Sequence, residues 1–147
     1  MNFSEESLRQ LISSGWFGGR SVSTTDFERV CRENGYPILD EAVRFVRAFD
    51  GLAGEHRASR VSAMDRFDFD SCQAIKDIPK ERVDVYSIRF GKIMVPVGEV
   101  HNSHLILMVA SGGSLLGAYD DFLCEFGNSI ETGLNVLFEA KEKKIIA

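Results

Sequence analysis

The apolar residues of the chain concentrate in one stretch, Lys92–Asp121, and their pattern predicts the centre of a β-sheet. The longest unbroken apolar run, Leu105–Ala110, suits a strand that is covered on both faces. The pair Gly112-Gly113 then interrupts the pattern as a two-residue hairpin turn would. We therefore predict a central strand over Leu105–Ala110 with an antiparallel partner over Ser114–Tyr119, and expect the other elements to pack around this hairpin.

Shorter strand patterns flank this hairpin. Ile93–Val95 is predicted to be a strand that Pro96 ends or holds at an edge, followed by a turn-rich connection over Gly98–Ser103. Two polar segments upstream are predicted to be short strands, Ala58–Ala63 and Arg66–Asp70, and the second alternates Phe inward with Asp outward. After Tyr119, residues 120–126 are predicted to form a short amphipathic segment that Gly127 ends.

Five segments carry helical periodicity or helix boundaries. The clearest has Ala42, Phe45, Val46 and Phe49 at positions i, i+3, i+4 and i+7. The predicted helices run over about Glu5–Ser14 with Ser4 as N-cap, from the capping-box pattern Thr25-Asp-Phe-Glu28 to about Asn34, and over Asp40–Asp50, Pro79–Phe90 and Ser129–Ala140.

Two helical predictions carry a qualification. In the fourth segment a strand over Val83–Phe90 is the alternative, because Val85 and Ile88 break the apolar stripe. In the last helix Gly133 costs about 1 kcal/mol in propensity relative to Ala, so we expect close packing against the sheet there.

Composition and length predict one α+β domain. A chain of 147 residues with 44% apolar side chains buries roughly 70% of its unfolded surface. Its apolar runs are shorter than the roughly 18 residues that a membrane span needs, and Glu5 and Glu6 stand where a secretion signal would carry basic residues. We therefore expect a cytoplasmic protein that does not bind membranes.

Charge and cysteine usage narrow the function further. A formal net charge of −5 argues against nucleic-acid binding, which needs a basic patch, and is compatible with a basic partner. Cys31, Cys72 and Cys124 lack the spacing of a zinc site and are predicted to be free thiols, with Cys31 and Cys124 on apolar helical faces. No cofactor or metal is expected.

Candidate catalytic groups are few. Glu99 and the pair Asp120-Asp121 follow different strands and would share one end of the sheet if those strands are neighbours, and paired carboxylates can perform acid–base chemistry. The loosely zinc-like pair His101 and His104 is predicted to be two surface histidines in a hairpin loop, because a glutamate base and a helix are missing. Asp65, Asp68 and Asp70 lack calcium-loop spacing and are interpreted as a solvated strand face.

Five local patterns in order resemble one known family, the SUKH superfamily of bacterial immunity proteins, and specifically its third subfamily. They are Leu8-x-x-Leu-Ile-x-x-Gly-Trp16 with Gly19-Arg20, Phe45-Val-x-x-Phe-x-Gly-Leu52, Val95-Pro-Val-Gly-Glu99, Gly117-x-Tyr-Asp-Asp121 and Phe126-Gly-x-Ser-Ile-Glu-x-Gly-Leu134. The resemblance covers about residues 3–140. Two departures are Gly133, where the family usually has Ala, and the loop 101–104, which has no assignable counterpart.

The resemblance implies a SUKH-like single domain with a central, mostly antiparallel sheet and about five packed helices. It also implies a cytoplasmic, non-catalytic protein that binds and neutralises the toxin domain of a polymorphic or contact-dependent system, often a nuclease. An acidic surface would imitate nucleic acid toward such a partner. The expected partner-binding residues are Glu99, Tyr119, Asp120, Asp121 and Glu125, followed by Trp16 and Arg20.

Alternatives remain open at the level of the sequence. The alternative for Trp16, and the favoured one, is an apolar plug between the first helix and the body of the fold. Arg20 can instead cap backbone carbonyls or pair with a buried acid. The whole chain can be an interaction or regulatory module without an immunity function, because a fold does not determine function. A small hydrolase that uses Glu99 and Asp120 is the third alternative.

Overall fold

The computed structural model describes residues 2–57 and 64–147, and these ranges hold six helices and seven strands. The helices are α1 (Glu5–Ser13), α2 (Thr25–Glu33), α3 (Asp40–Phe49), α4 (Ser71–Asp77), α5 (Lys80–Phe90) and α6 (Ile130–Glu139). The strands are β1 (Ala53–Arg57), β2 (Met64–Asp68), β3 (Met94–Val100), β4 (Leu105–Ala110), β5 (Leu115–Tyr119), β6 (Phe122–Gly127) and β7 (Lys144–Ile145). All strands pair antiparallel with their chain neighbours in one sheet. The predicted α+β class is confirmed.

Helix boundaries follow local capping chemistry. The side chains of Ser4, Asp70 and Ser129 accept hydrogen bonds from backbone N–H groups two or three positions into α1, α4 and α6, at 3.1–3.2 Å. The cap of α2 is Thr24, one residue before the predicted capping box, and its hydroxyl donates to the Glu28 carboxylate at 2.7 Å. None of the helices in the described ranges has the length and apolar character that a membrane span requires.

The predicted central hairpin is confirmed. Leu105 and the run Leu107–Ala110 are buried in β4, between β3 and β5. Gly112 and Gly113 have φ of 95° and 101°, the left-handed region that favours glycine, and the N–H of Gly113 donates to the carbonyl of Ala110 at 2.9 Å. The hairpin is therefore the centre of the sheet.

Helix α6 lies with its backbone directly on the sheet. A Cβ on Gly133 would lie 2.6 Å from the Cβ of Leu115 in β5, and a Cβ on Gly127 would lie 2.5 Å from the backbone nitrogen of Gly133. Neither distance leaves room for a methyl group. The prediction that Gly133 marks close packing is confirmed.

The prediction that Pro96 ends its strand is wrong, because β3 continues through Pro96 to Val100. The strand tolerates Pro96 for two reasons: β2 reaches β3 only at Asp68 opposite Glu99, and the β3–β4 register shifts between Pro96 and Gly98. The predicted turn over 98–103 accordingly shrinks to residues 101–104.

The predicted secondary structure needs correction at three further places. Residues 122–127 form the strand β6 rather than an amphipathic segment, since they pair with both β5 and β7; Cys124 therefore lies on a strand. Helix α4 was not predicted at all, and it packs Ala74 and Ile75 inward against β3. The alternative strand at Val83–Phe90 is wrong, because α5 occupies it. The predicted strand Ala58–Ala63 lies outside the described residues.

Candidate functional site

The turns after β3 and β5 project from the same end of the sheet, because both strands run antiparallel to β4 between them. We call this end, with residues 99–104 and 118–122, the turn end. Glu99, Tyr119, Asp120 and Asp121 all belong to it. The strand order thus brings four of the seven residues predicted to bind a partner to one end of the sheet, with Glu99 on the face opposite to Tyr119.

Glu99 lies among other carboxylates. Burial, together with the neighbouring Asp77 of α4, raises the pKa of Glu99 to about 7, and Asp68 and Asp70 add to the effect. Burial and Asp70 also raise the pKa of Asp68. This acidic cluster (Asp68, Asp70, Asp77 and Glu99) was missed in the sequence because α4 was missed. Burial first, and the neighbouring carboxylates second, thus disfavour the ionised form of Glu99 and of Asp68.

Side chains of helix α5 hold the backbone of the turn Asp120-Asp121. The hydroxyl of Tyr86 donates to the carbonyl of Asp120 at 2.7 Å, and Arg89 donates to the carbonyl of Asp121 at 3.0 Å. Arg82 lies 3.5 Å from the carboxylate of Asp120, whose side chain is 86% exposed. The backbone of the turn is fixed while its carboxylates face solvent. Asp120 therefore pairs with Arg82, whereas the carboxylates that act on Glu99 are those of Asp77, Asp68 and Asp70.

Tyr119 is the most exposed aromatic residue at the turn end. It is 51% exposed, and its ring packs against Phe122 at a centroid distance of 5.5 Å. Tyr119 and Phe122 are register partners in β5 and β6, so both rings stand on one face of the sheet. An exposed aromatic pair of this kind is typical of an interface anchor.

The other three predicted residues lie elsewhere. Arg20 donates to the carbonyls of Ala48 and Asp50 at 2.9 and 2.7 Å, and so caps the end of α3. Trp16 packs against the rings of Phe3 and Phe49 at 5.6 and 6.3 Å, and Glu125 accepts from the hydroxyl of Ser114 at 2.8 Å on β6. Each has a structural contact that accounts for its position.

The turn between β3 and β4 contradicts the prediction of two surface histidines. His104 is exposed, but His101 is largely buried, with its Nδ1 3.1 Å from a carboxylate oxygen of Asp65. The backbone N–H of His101 donates to Nε2 of His56, a fully buried residue of β1, at 3.1 Å. Burial lowers the pKa of His56 to about 4, so His56 is neutral at pH 7 and can accept this bond.

The same turn has unusual backbone geometry. His101, Asn102 and Ser103 have φ of 54°, 60° and 66° in succession. Such conformations cost free energy in L-residues and persist only where the surroundings hold them. Here Asn102 bonds both the N–H and the carbonyl of Arg66, at 2.7 and 3.0 Å, and donates to Asp65 at 2.9 Å. The turn is fastened to β2 and β1 as a rigid unit.

His56, Asp65 and His101 also present donor atoms within 4.8 Å of one another, close enough to be tested as a metal site. Most of these atoms already have partners: Nε2 of His56 accepts the His101 N–H, and both carboxylate oxygens of Asp65 bond His101 and Asn102. Of the donor atoms in this cluster, only Nε2 of His101, which is buried, has no hydrogen-bond partner among the described residues. The cluster is explained by its role in fastening the turn.

Comparison with known proteins adds the identity of the fold. Searches of curated proteins and of solved structures found no match. The model of the SUKH-3 immunity protein family matches residues 3–140, from the start of α1 to the end of α6. The resemblance noted in the sequence is thereby confirmed, and the chain belongs to the SUKH-3 immunity protein family.

Proposed function

We propose that this protein neutralises a toxin domain in the cytoplasm by binding it and covering its active site, without catalysis of its own. The observation that carries this proposal is the family match over residues 3–140, which spans every helix of the fold. An immunity protein has a protein toxin as its partner. Our proposal concerns which surface of the protein binds that toxin and which class of toxin it is.

We place the centre of the toxin-binding surface at the turn end. Tyr119 supplies an exposed aromatic anchor, and Asp120 and Asp121 supply carboxylates on a backbone that α5 holds still. A preorganised surface loses less conformational entropy on binding. Glu99 lies at the same end of the sheet but on the face opposite to Tyr119, and Glu125 lies beside Ser114 at the other end of β5, so we assign neither to the centre of the surface. Trp16 and Arg20 contribute less because both have structural roles.

A nuclease is the toxin class that this surface fits best. The chain carries a net charge of −5, and in the acidic cluster burial, followed by repulsion from Asp77 and Asp68, raises the pKa of Glu99 to about 7. A cationic phosphate-binding cleft would relieve that repulsion and would be attracted over a distance. The protein would then occupy the cleft as a substitute for nucleic acid.

Growth rescue tests the proposal directly. The toxin domain encoded beside this gene is expressed in a sensitive host with the wild-type protein or with a variant carrying Asp120→Lys and Asp121→Lys. We expect the wild type to restore growth and to co-purify with the toxin domain, and the double variant to lose both.

Two controls separate folding from binding. The double variant must keep the circular dichroism spectrum of the wild type, and Glu5→Lys with Glu33→Lys, which reverses two exposed charges on α1 and α2, should rescue normally. Failure of the wild type to rescue growth and to bind the toxin domain would refute the immunity proposal.

A further inference from the structure

A groove of about 500 Å³ opens at the turn end, between the β3–β4 turn, the β5–β6 turn and β7. Its apolar walls are Leu105, Tyr119, Phe122 and Ile145. Its volume lies in the range of roughly 300–1,000 Å³ that is typical of ligand pockets. The groove therefore offers more than a flat surface to a binding partner.

The groove is the part of a sheet face that helix α6 leaves uncovered. Leu115 and Tyr119 lie four residues apart on β5 and so point to the same side of the sheet. Leu115 is buried against Gly133 of α6, whereas none of the groove-lining residues belongs to α6. As a result Tyr119 is 51% and Ile145 is 59% exposed. Apolar side chains on a sheet face without a cover are characteristic of an interaction site.

One wall of the groove is rigid. His101 and His104 line it from the β3–β4 turn, and that turn is fastened through Asn102 to Arg66 and through His101 to His56 and Asp65. A wall built from three consecutive left-handed residues keeps its shape before the partner arrives. Such preorganisation favours a groove that receives a specific side chain.

The charge of the groove differs from that of the whole chain. Apart from Tyr119, the titratable side chains that line it are His101, His104 and Lys143, and none of the described lining residues is acidic. After burial, the positive charge of Lys143 helps to lower the pKa of His101. A permanent positive charge beside an apolar cleft complements an apolar side chain that lies next to a carboxylate.

We propose that this groove receives an extended segment of the toxin in which an apolar side chain, packed on Tyr119 and Phe122, adjoins a carboxylate that pairs with Lys143. This inference rests on the proposed function and adds a second contact of opposite sign to it. The acidic residues of the turn end would meet basic groups of the toxin, while the groove would meet an acidic segment. Charges of both signs fix the register of a complex and exclude other toxins.

Isothermal titration calorimetry with the purified toxin domain tests the groove. We expect Tyr119→Ala and Lys143→Glu each to weaken binding by about 10-fold or more, as removal of an interface anchor or reversal of an interface charge does. Phe17→Ala is the matched control for the aromatic change, because Phe17 is 60% exposed on the α1–α2 loop. Lys92→Glu is the control for the charge change, and both controls should stay within about twofold of the wild type.

A charge swap then identifies the partner group. An acidic-to-Lys change in the toxin segment should restore binding to Lys143→Glu and weaken binding to the wild type, as a double-mutant cycle for a direct pair requires. If both groove variants bind the toxin as the wild type does, the groove inference and the anchor role of Tyr119 are wrong, while the immunity function, tested by growth rescue, stands. If the wild type binds no toxin, the groove inference and the immunity proposal are both wrong. If sedimentation shows that the wild type self-associates through Tyr119, a second copy of this chain is the occupant and the inference is also wrong.

Discussion

One face of the sheet divides into two halves that differ in what covers them. In the covered half, Leu115, Gly127 and the α6 residue Gly133 meet at distances that leave no room for a methyl group. In the uncovered half, four residues further along β5, Tyr119 and Phe122 stand open beside the groove. The same strand thus serves stability at one end and, in our proposal, recognition at the other. Substitutions in the covered half should therefore lower the stability of the fold, and substitutions in the uncovered half should weaken toxin binding.

The largest effect is expected in the covered half. Gly133→Ala should lower the free energy of unfolding by about 3 kcal/mol or more, because the new Cβ would overlap Leu115 in a packed core. Helix propensity alone predicts the reverse, a gain of about 1 kcal/mol. Urea denaturation decides between them, with Gly18→Ala as the control because nothing lies within 4 Å of the added Cβ. A more stable Gly133→Ala protein would show that α6 is not seated as described.

The second largest effect is expected from acid, which should lower the stability of the protein by releasing the β3–β4 turn beside the groove. The pKa of His56 is about 4 in the folded protein, against 6.5 for a solvated histidine in the unfolded chain. The unfolded chain therefore binds the proton first, and stability falls as the pH drops from 6.5 to 4, by about 3 kcal/mol in total. Melting temperatures across this range measure the loss, and amide exchange of the His101 N–H reports the release of the turn.

The His56 effect has a matched control. His104→Gln, on the exposed side of the same turn, should keep the wild-type dependence on pH, while His56→Gln should lose the part that His56 contributes. Because Glu99 acts in the opposite direction over part of this range, the comparison with His56→Gln is decisive: the same pH dependence in His56→Gln and in the wild type between pH 6.5 and 4 would contradict the assignment.

Arg20 tests whether recognition extends beyond the turn end. Arg20→Ala removes two hydrogen bonds to the last carbonyls of α3, at Ala48 and Asp50, and should cost about 1–2 kcal/mol of unfolding free energy. Toxin affinity should change by less than about twofold if the role of Arg20 is structural. Calorimetry beside urea denaturation measures both, with Arg47→Ala as the control. A large loss of affinity without loss of stability would place the α1–α2 loop in the interface.

Glu99 should have the smallest effect on stability, and its dependence on pH should be opposite in sign to that of His56. Between pH 4.5 and about 7 folded Glu99 holds a proton that the unfolded chain has released, so its contribution to stability falls as the pH rises. Glu99→Gln should then stabilise the protein above pH 7 by about 1 kcal/mol, reduced from the full linkage value because solvent screens a partly exposed group. The gain should vanish below pH 4.5. Glu55→Gln is the control, and a Glu99→Gln protein that is less stable than the wild type at pH 8 would show that the ionised Glu99 carboxylate is not destabilised by burial and its neighbours.

Residues with a long periodic signal were predictable from the sequence, and those without one were not. Helix α3 has four buried positions at helical spacing, and β4 has an unbroken apolar run, so both were found. Helix α4 has only seven residues and little more than one inward turn, with Ala74 and Ile75. Strand β6 was missed because its period-2 pattern is broken where Leu123 and Cys124 are both buried.

The site was predictable in position but not in contacts. Sequence order placed Glu99 and Asp120 after strands, and the sheet brings them to one end. Their partners, Asp77 and Arg82, come from helices whose docking no local pattern encodes. The bond between His56 and His101 joins residues 45 positions apart, and it depends on a left-handed turn for which Asn102 was the only local signal.

Hydrogen–deuterium exchange of the complex with the toxin domain shows whether the turn end is the binding surface. We expect binding to slow exchange at the turn end and at β7, above all around Tyr119–Phe122 and Lys143–Ile145. We expect no change in the α1–α2 loop around Trp16. Protection confined to that loop, with the turn end exchanging as in the free protein, would contradict this proposal.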